Sequence, residues 1–212
     1  MKKTILPAVF GLALLVSACV PSLNPLYTDK DVIFDPALIG VWGEVNEKEV
    51  WSFEKAGEKK YLLKQTDENG LAARFEVHLV KLQKHLFLDL YLVNPDPEKN
   101  DKMKMNPWAF WSLVPGHLFM KVSQISPNLQ IALPDPDWLK KFLAKDPKAI
   151  RHRKIYQNPE SEDDYMICLT AETKELQEFI LKLADTKDAF GNPTDFKRRK
   201  AGADGGKVEK NN

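Results

Sequence analysis

Between Leu71 and Val93 the chain alternates apolar and polar residues in two runs separated only by Gln83-Lys84. Alternation of this kind places successive side chains on opposite faces of an extended strand. If Gln83-Lys84 is a two-residue turn, Leu82 pairs with His85. Leu79 then faces Leu88, Val77 faces Leu90 and Phe75 faces Leu92, all on one apolar face. The other face sets His78 opposite Asp89 and Glu76 opposite Tyr91, beside a Val80–Phe87 pair. A one-residue slip would mix the two sets, so the register is strongly specified. An isolated hairpin is marginal in water, so the apolar face calls for further strands.

The sequence supplies them. Val41–Val45, Glu49–Lys55, Lys60–Thr66, Trp108–Val114, His117–Ile125 and Asn128–Leu133 are short strand-like runs. Ala56-Gly57-Glu58-Lys59, Asp67-Glu68-Asn69-Gly70 and Pro115-Gly116 separate several of them, and Asn and Gly tolerate positive φ in such turns. Short strands at this spacing predict a mainly β fold, an antiparallel β-barrel of about eight strands. Two further strands are expected near Ile155 and over Tyr165–Leu169.

Two helices complete the pattern. Asp135-Pro136 offers an N-cap followed by proline at the first helical position, and Trp138, Leu139, Phe142 and Leu143 form an apolar stripe that ends before Pro147. A second helix begins near Thr173, with Leu176, Phe179, Ile180 and Leu183 at helical spacing. Both stripes are expected to pack on the sheet.

The N-terminus carries a different signal. Met1-Lys2-Lys3-Thr4 precedes an apolar stretch, Ile5 to Val16, that ends in Ser17-Ala18-Cys19. A basic start, an apolar run of this length and small residues at its end make a secretory signal peptide. The run is shorter than the roughly 20 residues needed to span a bilayer. Val16-Ser17-Ala18-Cys19 resembles a bacterial lipobox. That resemblance implies cleavage between Ala18 and Cys19, with acyl chains, palmitate among them, on Cys19. It implies a protein held to the membrane without crossing it. Val20, rather than an aspartate, after the cysteine is similar to the outer-membrane default, facing the periplasm. The expected organisation is signal peptide 1–18, lipidated cysteine and tether 19–39, barrel domain with two helices 40–190, and a basic disordered tail 191–212.

Gly40-Val41-Trp42, opening the first strand, resembles the Gly-x-Trp motif of the lipocalins. The resemblance implies an eight-stranded barrel with Trp42 packed across one end and an arginine stacked on it, for which Arg151 and Arg153 are candidates. Asn24–Thr28, Phe34–Trp42 and the Leu176–Asp185 helix also resemble a group of uncharacterised bacterial lipoproteins, which implies an envelope location and no particular activity.

Composition narrows the function. At 43% hydrophobic residues the chain can bury a full core. The net charge is +1; without Lys2 and Lys3 it is −1, and residues 19–196 carry −5 because the stretch from Lys197 on holds +4. That is no nucleic-acid profile. The four histidines lack zinc-site spacing, there is no Cys-x-x-Cys, and neither a nucleophile elbow nor a phosphate loop is present. No enzyme activity, cofactor or metal is expected. Cys168 lies in an apolar run, where a lone thiol is a packing residue.

Two functions remain. A barrel of this size can hold one small hydrophobic ligand, with Trp108, Phe110 and Trp111 as the candidate wall. Alternatively the barrel is filled, and the protein is a structural or partner-binding envelope lipoprotein with an external surface such as the 94–107 loop. The His78–Asp89 face is either the solvated outside of the barrel or a polar set that contacts a ligand.

Overall fold

A computed structural model describes residues 20–93, 115–156, 160–162 and 164–199. The elements in order are β1 (Val32–Ile33), a 3-10 turn (Pro36–Leu38), β2 (Gly40–Gly43), β3 (Val50–Lys55), β4 (Tyr61–Thr66), β5 (Ala72–Leu82) and β6 (His85–Leu92). There follow β7 (His117–Gln124), β8 (Leu129–Ala132), α1 (Pro136–Lys145), β9 (His152–Tyr156), β10 (Tyr165–Leu169), α2 (Thr173–Ala184) and β11 (Thr194–Arg199). No helix among the described residues is long and apolar enough to cross a membrane.

Eight antiparallel strands close into a barrel in the order β2-β3-β4-β5-β6-β7-β8-β11, with β11 pairing back onto β2. β1 adds an outer strand to the far half of β5, where Val32 pairs with Val80 beyond the stretch that pairs with β4. The β5–β6 register is the one the alternation dictates: Leu79 opposite Leu88, Val77 opposite Leu90, Phe75 opposite Leu92 and His78 opposite Asp89. The long connection from β8 to β11 carries α1, the β9–β10 hairpin and α2.

This arrangement creates two cores, one on each face of β5, β6 and β7. Inside the barrel, Trp42, Phe53, Tyr61, Leu63, Leu79, Leu88, Leu90 and Leu129 are buried together. Outside it, Val80, Leu82, Phe87 and Phe119 pack against the stripes of both helices. The expected stripes are there: Leu139 and Leu143 of α1, and Leu176, Phe179, Ile180 and Leu183 of α2, are buried. Asp135 caps α1, its side chain accepting from the Trp138 N–H at 2.7 Å, and Pro136 occupies the first turn. Cys168 is a free, buried thiol, and burial pushes its pKa up.

Three expectations are corrected. Residues 191–212 are not all tail, because β11 is the eighth barrel strand. Its sequence TDFKRR carries a single inward-facing apolar residue, Phe196, which is buried. A strand whose outer side chains are all polar has almost no hydrophobic signature.

The arginine over Trp42 is neither Arg151 nor Arg153. Arg151 is paired with Glu175, and Arg153 lies in β9 opposite Cys168. Arg198 of β11 takes the role, with its guanidinium 4.4 Å from the centre of the Trp42 ring. It donates to the carbonyls of Ile39 at 2.8 Å and Ala37 at 2.7 Å, while the Trp42 indole N–H donates to Leu38 at 2.9 Å. Gly40 is required here: its φ is 136°, and a Cβ would lie 2.4 Å from an Arg198 nitrogen.

Nor is the expected 19–39 tether free over its described residues, 20–39. Val20, Ser22, Leu26, Val32 and Leu38 are all buried. Ser22 exchanges both backbone hydrogen bonds with His117, at 2.9 and 2.7 Å, and the Leu23 N–H donates to Leu169 at 2.9 Å. The segment from Val20 onward is an integral layer between the barrel and the β9–β10 hairpin.

Arg198→Ala removes two charge-assisted hydrogen bonds and a stacked cation, and is expected to cost about 2 kcal/mol in urea unfolding. Exposed Lys197→Ala, one residue away, should change stability by less than about 0.5 kcal/mol.

Candidate functional site

The two ends of the barrel are built differently. At one end the 3-10 turn, with Asp35 capping it through the Ala37 N–H, drives Leu38 and Trp42 across the opening. The indole and the Arg198 guanidinium seal it. The other end is ringed by the connections 44–49, 67–71 and 133–135 and by residues 190–193. Here the interior opens into a recess of about 230 Å³.

The walls of the recess are apolar and its lip is acidic. Trp51, Met120, Ile131 and Phe196 supply the walls, and Glu44, Glu49 and Asp135 lie at the lip. Trp51 and Phe196 stand with ring centres 5.2 Å apart. Glu49 holds the indole in place: its carboxylate accepts from the Trp51 indole N–H at 2.6 Å and from Gln65 at 3.0 Å. Partial burial raises the Glu44 pKa, and the neighbouring Glu47 and Glu49 raise it further. Anionic groups on a lip disfavour an anionic guest, so the recess suits a small neutral or cationic molecule rather than a fatty acid. A larger trough of about 1080 Å³ lies on the outside of β2–β4, open and lined mostly by polar and charged residues such as Glu54, Lys64, Glu68 and Lys197.

The second constellation lies on the outer face of β5–β7, where the alternation placed His78 and Asp89. Its centre is buried rather than solvated. Asp89 is 1% exposed and His117 is 9% exposed. One Asp89 oxygen lies 2.6 Å from His117 Nδ1, and the other accepts from the Leu26 N–H at 2.7 Å. Tyr27 covers His78 with ring centres 4.3 Å apart, and Tyr91 lies 4.8 Å from the His117 ring. Burial lowers the His78 pKa against the opposing pull of Glu76 and Asp89. Burial, reinforced by Asp89, raises the Tyr27 pKa to about 12. Ser22, bridged to His117 through the backbone, is fully buried, and its hydroxyl donates to the Asn24 carbonyl at 2.8 Å. Through the Leu26 N–H and the His117–Ser22 backbone pairing, the Asp89–His117 pair fastens residues 20–31 to the sheet.

Other bonds secure the same segment. Asn24 donates to Ala171 at 2.9 Å, and Gln177 of α2 donates to both the Leu26 carbonyl and Asp31 at 2.9 Å. Among the described residues, no three His, Cys, Asp or Glu side chains are grouped to hold a metal ion.

The candidate residues separate accordingly. Gly40 and Trp42 are at the sealed end. Ala18, Cys19, Trp108, Phe110, Trp111 and the 94–107 loop lie outside the described residues. Sequence reasoning paired His78 with Asp89 but missed His117, which is 28 residues further along on the next strand. It also missed Trp51 and Phe196 as walls: Trp51 alternates with Phe53 within β3, but Phe196 is the single apolar residue of its strand. No protein-family model matches the sequence, and no curated protein or solved structure is significantly similar to it.

Asp89→Ala leaves the Leu26 N–H and His117 without their partner in a buried site, and is expected to cost about 3 kcal/mol. Asp89→Asn keeps an acceptor in place and should cost less. In Asp89→Ala, limited trypsin digestion should cut faster at Lys30 than in the unaltered protein. Equal cutting would show that residues 20–31 are held by other contacts.

Proposed function

We propose that this is a lipid-anchored protein of the bacterial envelope, without catalytic activity, whose barrel is a filled scaffold that presents its outside to other envelope components. The observation that carries this reading is the packing of the barrel interior. Trp42, Phe53, Tyr61, Leu63, Leu79, Leu88, Leu90 and Leu129 are each no more than 2% exposed and meet across the lumen. Each such side chain contributes about 1.5–3 kcal/mol when buried, so a lumen emptied for a ligand would forfeit much of the domain's stability. Ligand sites commonly occupy roughly 300–1,000 Å³. The recess, at about 230 Å³, falls below that range.

The anchor reading is supported by Val16-Ser17-Ala18-Cys19 after a basic and then apolar start. Outer-membrane placement, with the domain in the periplasm, is supported by Val20 following the cysteine. The Gly40-Val41-Trp42 motif, with Arg198 over the indole, supports kinship in design with the lipocalins. The apolar walls of the recess favour a second reading, binding of one small hydrophobic molecule at the open end, without an anionic head group.

An alkyne-tagged palmitate fed to a bacterial host should label the protein, and Cys19→Ser should abolish the label. An unlabelled protein would overturn the anchor. Native mass spectrometry on the mature Cys19→Ser chain should give the bare protein mass, before and after incubation with fatty acids, phospholipids and a neutral apolar probe such as a fatty alcohol. A discrete added mass, released by organic solvent, would replace the filled scaffold with a carrier.

A further inference from the structure

We infer that the β9–β10 hairpin is the surface the protein seats on the membrane, with Ile155, Tyr156 and Tyr165 in the head-group layer of the bilayer that holds the anchor. This inference rests on the lipid-anchored reading. The path of the chain behind Ser22 and the chemistry of the hairpin point to it independently.

The path comes from two bridges at Ser22. Its bridge to Leu169 is parallel: the Leu23 N–H donates to the Leu169 carbonyl at 2.9 Å, and the Leu169 N–H donates to the Pro21 carbonyl at 2.8 Å. Followed backwards from Ser22, the chain therefore heads toward Tyr165, the first residue of β10. The antiparallel bridge to His117 sends it the same way along β7, away from the open end of the barrel. Val20 and Ser22 are buried and Pro21 is half-buried, the alternation of an extended segment. Val20 packs in the same core as Ile167 and Phe119. Cys19 is the neighbour of Val20, about 3.8 Å away between Cα atoms, so there is no slack between the docked segment and the lipidated residue. Acyl chains on Cys19 leave the domain alongside β10, and the bilayer they enter lies against the hairpin.

The hairpin has the composition of a membrane interface. Its burial fades from one end to the other: Ile167, Cys168 and Leu169 are buried, Tyr165 and Met166 are half-buried, and Arg153 to Tyr156 are exposed. Tyr156 and Tyr165 stand opposite each other, with ring centres 5.8 Å apart. The ammonium groups of Lys154 and Lys140 lie 4.3 and 4.9 Å from the centre of the Tyr165 ring. Tyrosines beside an exposed isoleucine, with lysines whose stems lie on apolar surface and whose heads stay wet, suit the level of the head groups. The other large exposed apolar side chains do not share this position. Val45 and Leu71, in the connections 44–49 and 67–71, and Tyr91 to Val93, at the end of β6, lie at the open end, from which the chain behind Ser22 runs away.

Charge sets the kind of bilayer. Arg153 and Lys154 are on β9, and Glu160, Glu162 and Asp164 are exposed in the connection to β10. With both signs present, no single-sign field draws the hairpin to strongly anionic lipid. A zwitterionic head group such as phosphatidylethanolamine offers a phosphate to the lysines and an ammonium to the carboxylates.

The test uses the mature lipidated chain in phosphatidylethanolamine-rich vesicles, with the photoreactive amino acid p-benzoylphenylalanine in place of Tyr156, Val45 or Glu68, one at a time. Illuminated vesicles are floated, and phospholipid adducts on the protein are measured by mass spectrometry. The probe replacing Tyr156 is expected to give about tenfold more adduct than either probe at the open end. Ile155→Asp should leave flotation intact and lower the adduct at position 156 by about threefold or more. A floating chain labelled as strongly at position 45 or 68 overturns the orientation alone. So does a floating chain with no adduct at position 156, or with one that Ile155→Asp leaves unchanged, since the hairpin then does not enter the head groups. A chain that does not float overturns the anchored reading, and the seating with it.

Discussion

Asp89 sits at 1% exposure in a sheet that is covered on both faces. A buried carboxyl group must find partners, and this one finds His117 on the neighbouring strand and the Leu26 N–H from a segment more than 60 residues earlier. The rest of the arrangement follows from that requirement. The outer face of β5–β7 cannot be left to water, because Val80, Leu82, Phe87 and Phe119 need cover as well. Helices α1 and α2 supply apolar cover for one part, and residues 20–31 supply polar and apolar cover for the rest. The N-terminal segment is thereby recruited into the fold, and its start is fixed beside β10.

The barrel itself closes through a separate set of contacts. Trp42 and Leu38 fill one end, and Arg198 satisfies the carbonyls of Ala37 and Ile39 while lying on the indole. Because Arg198 belongs to β11, the contact ties the last strand to the first and to the turn that precedes it. The chain thus has two fastenings. One holds the ends of the barrel sheet together, and the other holds the N-terminal layer to its outside.

The residues that were legible in the sequence are those whose surroundings differ sharply between two faces. In β5–β6 a one-residue slip would bury Glu76 and expose Leu79, so alternation alone fixed the pairing of His78 with Asp89. The stripe of α2 and the Asp135-Pro136 cap of α1 were equally plain, because each is a local rule about one element. β11 was not legible, since Phe196 is its only buried side chain and TDFKRR otherwise has the composition of a solvated tail. Its arginines are satisfied by backbone carbonyls that only closure of the barrel brings near. The docking of residues 20–31 was hidden for a related reason: prolines and polar residues there suggest a linker, while the groups they satisfy, Asp89, His117 and Gln177, are far away in sequence. The polar face of the hairpin was placed correctly and its environment was not, because alternation separates faces but does not say what covers them.

Hydrogen–deuterium exchange at the amides of Ser22, Leu23 and Leu26 tests the central claim most directly, namely that the stretch following Cys19 is part of the folded domain. Each of these N–H groups donates to a partner in another element: His117, Leu169 and Asp89. Exchange as slow as that of amides in β5 and β6 is the predicted result, with slow and fast sites governed by opening of the same unit. Exchange at the rate of an unstructured chain would mean that residues 20–31 are a flexible leash.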